Sequence, residues 1–177
     1  VGTEAGYNVT TGTANTLFGV EAAKHTTTGN GNVVLGHQGL YCNTTGCYNV
    51  AVGHLSLYAN TTSGGNVGVG TYTLAANTIG TCNVAVGYQS LCRNPTGSCN
   101  VAIGTESSKF NTTGRNNVAV GYRSLCLNTT GQFNIALGKC AALSYTKDGT
   151  IAIGYEAMCA NDVGLYNTAI GYQSMKH

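Results

Sequence analysis

Short apolar stretches recur along the chain at a fixed interval. Val50 to Val52, Val84 to Val86, Val118 to Val120 and Ile151 to Ile153 each place β-branched residues on one face and an alanine on the other. That is the two-residue period of a strand. Each stretch closes on a glycine, and these fall at Gly2, Gly19, Gly36, Gly53, Gly70, Gly87, Gly104, Gly121, Gly138, Gly154 and Gly171. Every interval is 17 residues except Gly138 to Gly154, which is 16. A helix–turn–helix repeat needs more than about 30 residues, so the unit is not helical. A second short segment, Tyr88 to Leu91 or Tyr122 to Leu125, also alternates and predicts a second strand. Between the two lie Asn43 to Gly46, Asn111 to Gly114 and Asn128 to Gly131, all Asn-Thr-Thr-Gly, which is turn chemistry. Strand, turn, strand, turn describes one coil of an all-β, parallel β-solenoid (a β-roll). About ten such coils, about 4.8 Å apart, make a rod about 50 Å long. No break in composition interrupts the array, so residues 1–177 form a single solenoid repeat domain. Both ends cut the pattern, which predicts an excerpt of a longer chain.

Stacking places equal repeat positions above one another. Asn15, Asn32, Asn49, Asn66, Asn83, Asn100, Asn117, Asn134 and Asn167 recur just before the strands. An amide in such a column can donate to one coil and accept from the other, so a structural Asn ladder is expected. A second Asn column runs through Asn43, Asn60, Asn77, Asn94, Asn111 and Asn128. The Val50, Val67, Val84, Val101, Val118, Ile135 and Ile151 column is expected to fill the interior. Val52, Val69, Val86, Ile103, Val120, Leu137 and Ile153 lie beside it. Leu40, Leu57, Leu74, Leu91, Leu125 and Met158 face both. The column of Ala51, Gly68, Ala85, Ala102, Ala119, Ala136, Ala152 and Ala169 then turns outward. So uniformly small a face predicts close approach of another copy in a symmetric homo-oligomer. The alternative is a flat, solvated alanine face. Unpaired strand edges at the ends of a solenoid also favour filaments. The 16-residue coil carries Lys147 and Asp148 where others have Thr-Thr, and predicts a shortened turn with strands still in register.

Composition narrows the function classes. Charged residues are 8 % of the chain, against about 25 % in ordinary domains, and net charge is +2. The polarity comes instead from 19 Asn and 25 Thr. Low net charge argues against disorder. Eight scattered Lys and Arg cannot neutralise many phosphates, which excludes a nucleic-acid partner. No apolar run reaches the roughly 20 residues of a membrane span. Glu4, Glu21, Glu106, Asp148, Glu156 and Asp162 are scattered, none pairs recurrently with a histidine, and a filled coil offers no cleft. No enzyme activity and no cofactor are therefore expected. Two Asp are too few for a calcium-binding solenoid. The Tyr88, Tyr122, Tyr155 and Tyr172 column reads as a stacking ladder, with a sugar platform as the rival.

Eight cysteines point to an oxidising compartment. Cys82 and Cys99 are one coil apart and are disulfide candidates, as are Cys42 and Cys47, which flank one turn. Cys92 competes with Cys82 for Cys99. Cys126, Cys140 and Cys159 are left free, buried or linking chains. The bland alternative is reduced cysteine acting as a small apolar residue. Zinc is the rival, but there is no CxxC pair, and His25, His37, His54 and His177 show no ligand spacing, so no metal site is expected. Sequons occur at Asn8, Asn43, Asn60, Asn111 and Asn128, four of them in a turn expected to face outward. The same residues are explained by turn preference without sugar.

The unit NVAVGYQSL with its turn, at Asn83 to Leu91 and, with Arg for Gln, at Asn117 to Leu125, resembles the head repeats of trimeric autotransporter adhesins of the YadA type. It also resembles the N-x-A-I-G-Y-x-A-L…N-T-T-G repeats of bacterial, phage and giant-virus fibre proteins. The resemblance covers essentially the whole chain. It implies a left-handed parallel β-roll, commonly trimeric, in a surface fibre or attachment role. The expected partners are copies of the chain itself, as trimer or filament, and a cell-surface receptor or glycan. The expected location is extracellular, at a cell or virion surface. A second function class is ice binding, because Thr44 with Thr45, Thr61 with Thr62, Thr112 with Thr113 and Thr129 with Thr130 form paired columns. They lie in a turn, however, and Thr78 and Thr96 break the pairing.

Overall fold

A computed structural model describes residues 1–160 and 164–176; Asp162 and His177 lie outside these. The chain is a parallel β-solenoid. Ten strands form one sheet in sequential order: β1 Thr16–Phe18, β2 Val33–Leu35, β3 Val50–Val52, β4 Val67–Val69, β5 Val84–Val86, β6 Val101–Ile103, β7 Val118–Val120, β8 Ile135–Leu137, β9 Ile151–Ile153 and β10 Thr168–Ile170. Every pairing is parallel and joins equal repeat positions, as in Val84↔Val101 and Ala85↔Ala102. The register holds across the short coil, with Ile135↔Ile151 and Ile151↔Thr168.

Each coil has one strand, not two. The expected second strand, Tyr88 to Leu91 or Tyr122 to Leu125, is turn backbone, with Gln89, Leu91, Arg123 and Leu125 at φ between 47° and 55°. In the coil from Gly19 the turns overlap. Ala22 N–H donates to Gly19 (3.3 Å), Lys24 to Glu21 (3.3 Å) and Thr26 to Ala23 (3.1 Å). A left-handed φ costs an ordinary residue about 1–2 kcal/mol. The neighbouring coils impose it, because each twisted peptide bonds to the coil above or below: Leu55 N–H to His37 (3.1 Å), Leu57 N–H to Thr73 (2.9 Å). At Gly53, φ is 125° and a Cβ would stand 2.6 Å from the Gly70 carbonyl, so the start of each coil admits only glycine.

The strand faces are the reverse of the expectation. Ala51, Ala85, Ala102, Ala119, Ala136 and Ala152 are fully buried, while the Val and Ile columns on either side stand outward. The interior is too narrow for two β-branched columns. Leu40, Leu57, Leu74, Leu91, Leu125 and Met158, all fully buried, already reach across from the opposite wall. Two irregular positions show how little room remains. Where Val34 replaces the inward alanine, Gly39 faces it, and a Cβ on Gly39 would lie 2.8 Å from a Val34 methyl. Where Leu17 takes that place, Gly6 stands opposite, and a Cβ on Gly6 would lie 2.8 Å from a Leu17 methyl.

Candidate functional site: ladders inside, an apolar face outside

Both asparagine columns are buried and bonded. Asn83 is typical of the first. Its Nδ2 donates to Asn66 Oδ1 (3.2 Å) and to the Gly97 carbonyl (2.8 Å), and its Oδ1 accepts from the Asn100 backbone N–H (3.0 Å) and Nδ2 (3.1 Å). Equivalent bonds run through Asn32, Asn49, Asn66, Asn100, Asn117 and Asn134. Asn134 passes the chain of bonds to the Thr150 N–H (2.8 Å). Asn167 lies in the same column one coil further, its carbonyl accepting from Ile151 N–H (2.9 Å). In the second column Asn60 Nδ2 donates to Asn43 Oδ1 (2.9 Å), and the pattern repeats at Asn77, Asn94, Asn111 and Asn128. Buried polar groups are tolerated only when paired in this way.

This corrects the outward reading of the sequons. The amides of Asn43, Asn60, Asn111 and Asn128 are at most 1 % exposed and point into the coil. A glycan on any of them would have to displace the ladder. Asn8 is the exception: it is half-buried and its Nδ2 meets His25 Nδ1 at 3.3 Å.

All eight cysteines are thiols, so neither Cys82–Cys99 nor Cys42–Cys47 is bridged. Cys82 and Cys99 are exposed at the same repeat position of successive coils. The Cys47 thiol is engaged elsewhere, accepting from Asn30 N–H (3.2 Å) and donating to the Thr45 carbonyl (3.3 Å). Burial pushes the thiols of Cys42, Cys92, Cys126 and Cys159 above their ordinary pKa.

The most distinctive surface is the outer face of the sheet. Leu35 is 53 % exposed and Ile170 67 %, and Val33, Ile103 and Ile135 are also exposed. Tyr48, Phe133 and Tyr166 border one side, and Tyr88, Tyr122, Tyr155 and Tyr172 the other. No charged residue occupies either outward position of any strand, β1 to β10. Nine parallel steps of about 4.8 Å and a band about 10–15 Å wide give on the order of 500 Å², at the upper end of what a monomer exposes.

Charge sits elsewhere, in short clusters along the turns. Lys24 bridges Glu21 (2.7 Å) and Glu4 (2.6 Å), Lys109 pairs with Glu106 (2.8 Å), and Lys176 with Glu156 (2.8 Å). The Lys24 and Gln38 hydrogen bonds hold the Glu21 carboxyl below its ordinary value. Lys176 and Gln173 do the same for Glu156, bringing it to about 2.

Aromatic rings stack from coil to coil. Tyr155 and Tyr172 lie 5.2 Å apart at 9°, and Tyr41 and Tyr58 5.2 Å apart at 5°. Of the expected Tyr88, Tyr122, Tyr155 and Tyr172 ladder only Tyr155 and Tyr172 stack; Tyr88 instead meets Tyr72 edge-on, 6.4 Å apart at 84°. Thr27, Thr44 and Thr112 each donate their hydroxyl to a carbonyl of the next coil, at 3.1, 3.1 and 2.9 Å. In the pairs of Thr44, Thr61 and Thr112 one hydroxyl is thus committed to the backbone rather than to ordered water.

The spacing missed one juxtaposition. His37 and His54 are one coil apart and meet through their Nδ1 atoms. In a solenoid the ligand spacing is the repeat length itself. Among the described residues no cluster of three or more metal-ligating side chains forms, and no cavity opens on the surface. Among the described residues no helix is long and apolar enough to cross a membrane. Family models, curated proteins and solved structures offer no match to the chain.

Proposed function

We propose that the chain is a structural segment of an extracellular or virion-surface fibre, assembled with copies of itself through the outward Val and Ile face. It acts as a rigid spacer rather than as a catalyst. What carries the reading is that face: two outward columns of the sheet, built mostly of Val, Ile and Leu, uncharged from β1 to β10 and exposed or half-exposed to solvent. Burial of apolar surface contributes about 25 cal/mol per Å², and a standard interface covers about 800 Å² per partner, so a face of this order supports association of identical rods. The partner surface is thus the Val face, not the alanine face, which is consumed by the interior. The rivals are a solvated face on a monomer and an ice-binding surface in the threonine turns. An oxidising setting belongs to the proposal.

Sedimentation of the purified chain tests assembly. The wild type is expected as a trimer or larger species. Val101→Lys with Ile103→Lys is expected to give monomer, with its circular dichroism unchanged because both side chains stand outside the coil. A wild type that stays monomeric at high concentration overturns the reading, and clear thermal hysteresis would move it to ice binding.

A further inference from the structure

The His37–His54 pair carries chemistry that assembly does not use. Their Nδ1 atoms are 3.1 Å apart, with ring centroids at 5.2 Å and planes 12° apart. One nitrogen holds the shared proton and the other offers its lone pair. We propose that the two histidines form a binding site for a divalent transition-metal ion of the zinc or nickel type, each contributing Nδ1.

The distance fits. Metal–imidazole bonds of about 2.0–2.1 Å set two ligands about 2.9–3.4 Å apart, from octahedral to tetrahedral angles. Binding forms two metal–nitrogen bonds and breaks the single N–H···N bond between the rings. The displaced proton moves through water to Nε2 of the same ring, so neither ring changes charge. Side-chain rotation then turns both lone pairs toward one point.

The backbone holds the pair ready. Leu55 N–H donates to the His37 carbonyl (3.1 Å) and Tyr72 N–H to the His54 carbonyl (3.0 Å), fixing both residues on adjacent rungs. The column is Val20 below and Thr71 above, so the site is limited to two protein ligands. Tyr72 packs its ring edge against His54 at 5.5 Å. Glu21 lies near enough for His37 to bear on its titration, but its carboxylate is held by Lys24 and Gln38 and is no third ligand. His37 is exposed, so water completes the coordination and the ion enters freely. Imidazole ligands suit nickel, copper and zinc over calcium or magnesium.

Nickel sulfate titrated calorimetrically into the full chain, its exposed thiols alkylated, tests this. One site per chain is expected. His37→Thr and His54→Thr, each borrowing the residue Thr71 supplies at that position, should weaken binding about tenfold or more, since two linked donors outbind one. The double variant, which keeps neither donor, should show no binding, and His25→Thr should bind as wild type. Nickel should raise the melting temperature of the wild type and not of the variants. Retained affinity in His37→Thr or His54→Thr, or equal loss in His25→Thr, overturns the site. So does binding that survives in the double variant, which would place the ion away from the pair. The pair is complete within one chain, so a monomeric protein leaves this proposal standing.

Discussion

The regular coils and the short coil 138–153 solve one problem with different residues. In a regular coil two asparagines cap the interior and satisfy the turn carbonyls. The short coil lacks one turn residue and both asparagines. Tyr145 takes one place, fully buried, with its hydroxyl donating to the Gly164 carbonyl at 2.8 Å. Thr150 takes the other, its N–H donating to Asn134 Oδ1 (2.8 Å) and its hydroxyl to the Asn167 carbonyl (3.4 Å). The strands on both sides keep their register. What the fold requires is therefore neither asparagine nor 17 residues. It requires a filled interior whose polar groups are paired. Val34 with Gly39 and Leu17 with Gly6 make the same point with apolar volume.

The strongest way to break the comparison is to delete an amide without compensation. Asn83→Ala leaves the Asn100 N–H without its acceptor and removes donors from Asn66 Oδ1 and Gly97. Unpaired buried groups cost about 1–3 kcal/mol each, so a loss of about 3 kcal/mol is expected in urea denaturation. A loss below about 1 kcal/mol would show that the ladder fixes register without holding the fold.

The volume rule gives the next effect. Ala102→Val adds two methyls to a wall that Ser90 and Ser107 face, and overpacking of this kind costs about 1–3 kcal/mol. The natural Val34–Gly39 pair supplies the remedy: adding Ser107→Gly, the corresponding position of the next coil, should recover more than half of that loss. The glycine itself and the lost Ser107 bond to the Ala119 carbonyl (3.0 Å) limit the recovery. No recovery would mean that the Val34–Gly39 match is coincidence. Smaller again is Tyr145→Phe. It keeps the ring and leaves the Gly164 carbonyl without this donor, for a loss of about 1 kcal/mol in the same assay. Tyr145→Asn, the regular residue, should be worse than Tyr145→Phe, because a shortened coil cannot bring a smaller side chain to the same carbonyl.

These cases also explain what could be read from residues alone. The period, the Val-Ala-Val strands, the Asn83-type ladder and the short turn at Lys147 and Asp148 follow from recurrence, which stacking converts into geometry. Alternation separates the two faces of a strand but does not say which is inside. That choice depends on the cross-section of the coil, set by Leu57-type residues on the far wall, and it reversed the roles of Ala51 and Val50. Leu55 and Leu57 at positive φ carry no local signature, since leucine is ordinary in strands. Only hydrogen bonds from neighbouring coils hold them there. The sequons misled for a related reason: Asn-Thr-Thr-Gly marks a turn, and Asn60 shows that a turn residue can point inward.

The smallest effect lies outside the coil, where no volume rule applies. Glu156 accepts from Lys176 Nζ (2.8 Å) and Gln173 Nε2 (2.9 Å), and these bonds lower its pKa to about 2. The unfolded chain binds this proton at a higher pH than the folded chain does. Its contribution to stability is therefore complete above the ordinary glutamate range and is lost as pH falls from there through about 2. The pair faces solvent and is screened by salt, so the loss should be slight and should shrink further at high ionic strength. Carboxyl chemical shifts followed through acid should give a midpoint near 2 for Glu156, moving back toward the ordinary value in Lys176→Met. An unshifted midpoint in the wild type would show that the turn clusters decorate the rod without bracing it, leaving the interior of the coils as the whole source of its rigidity.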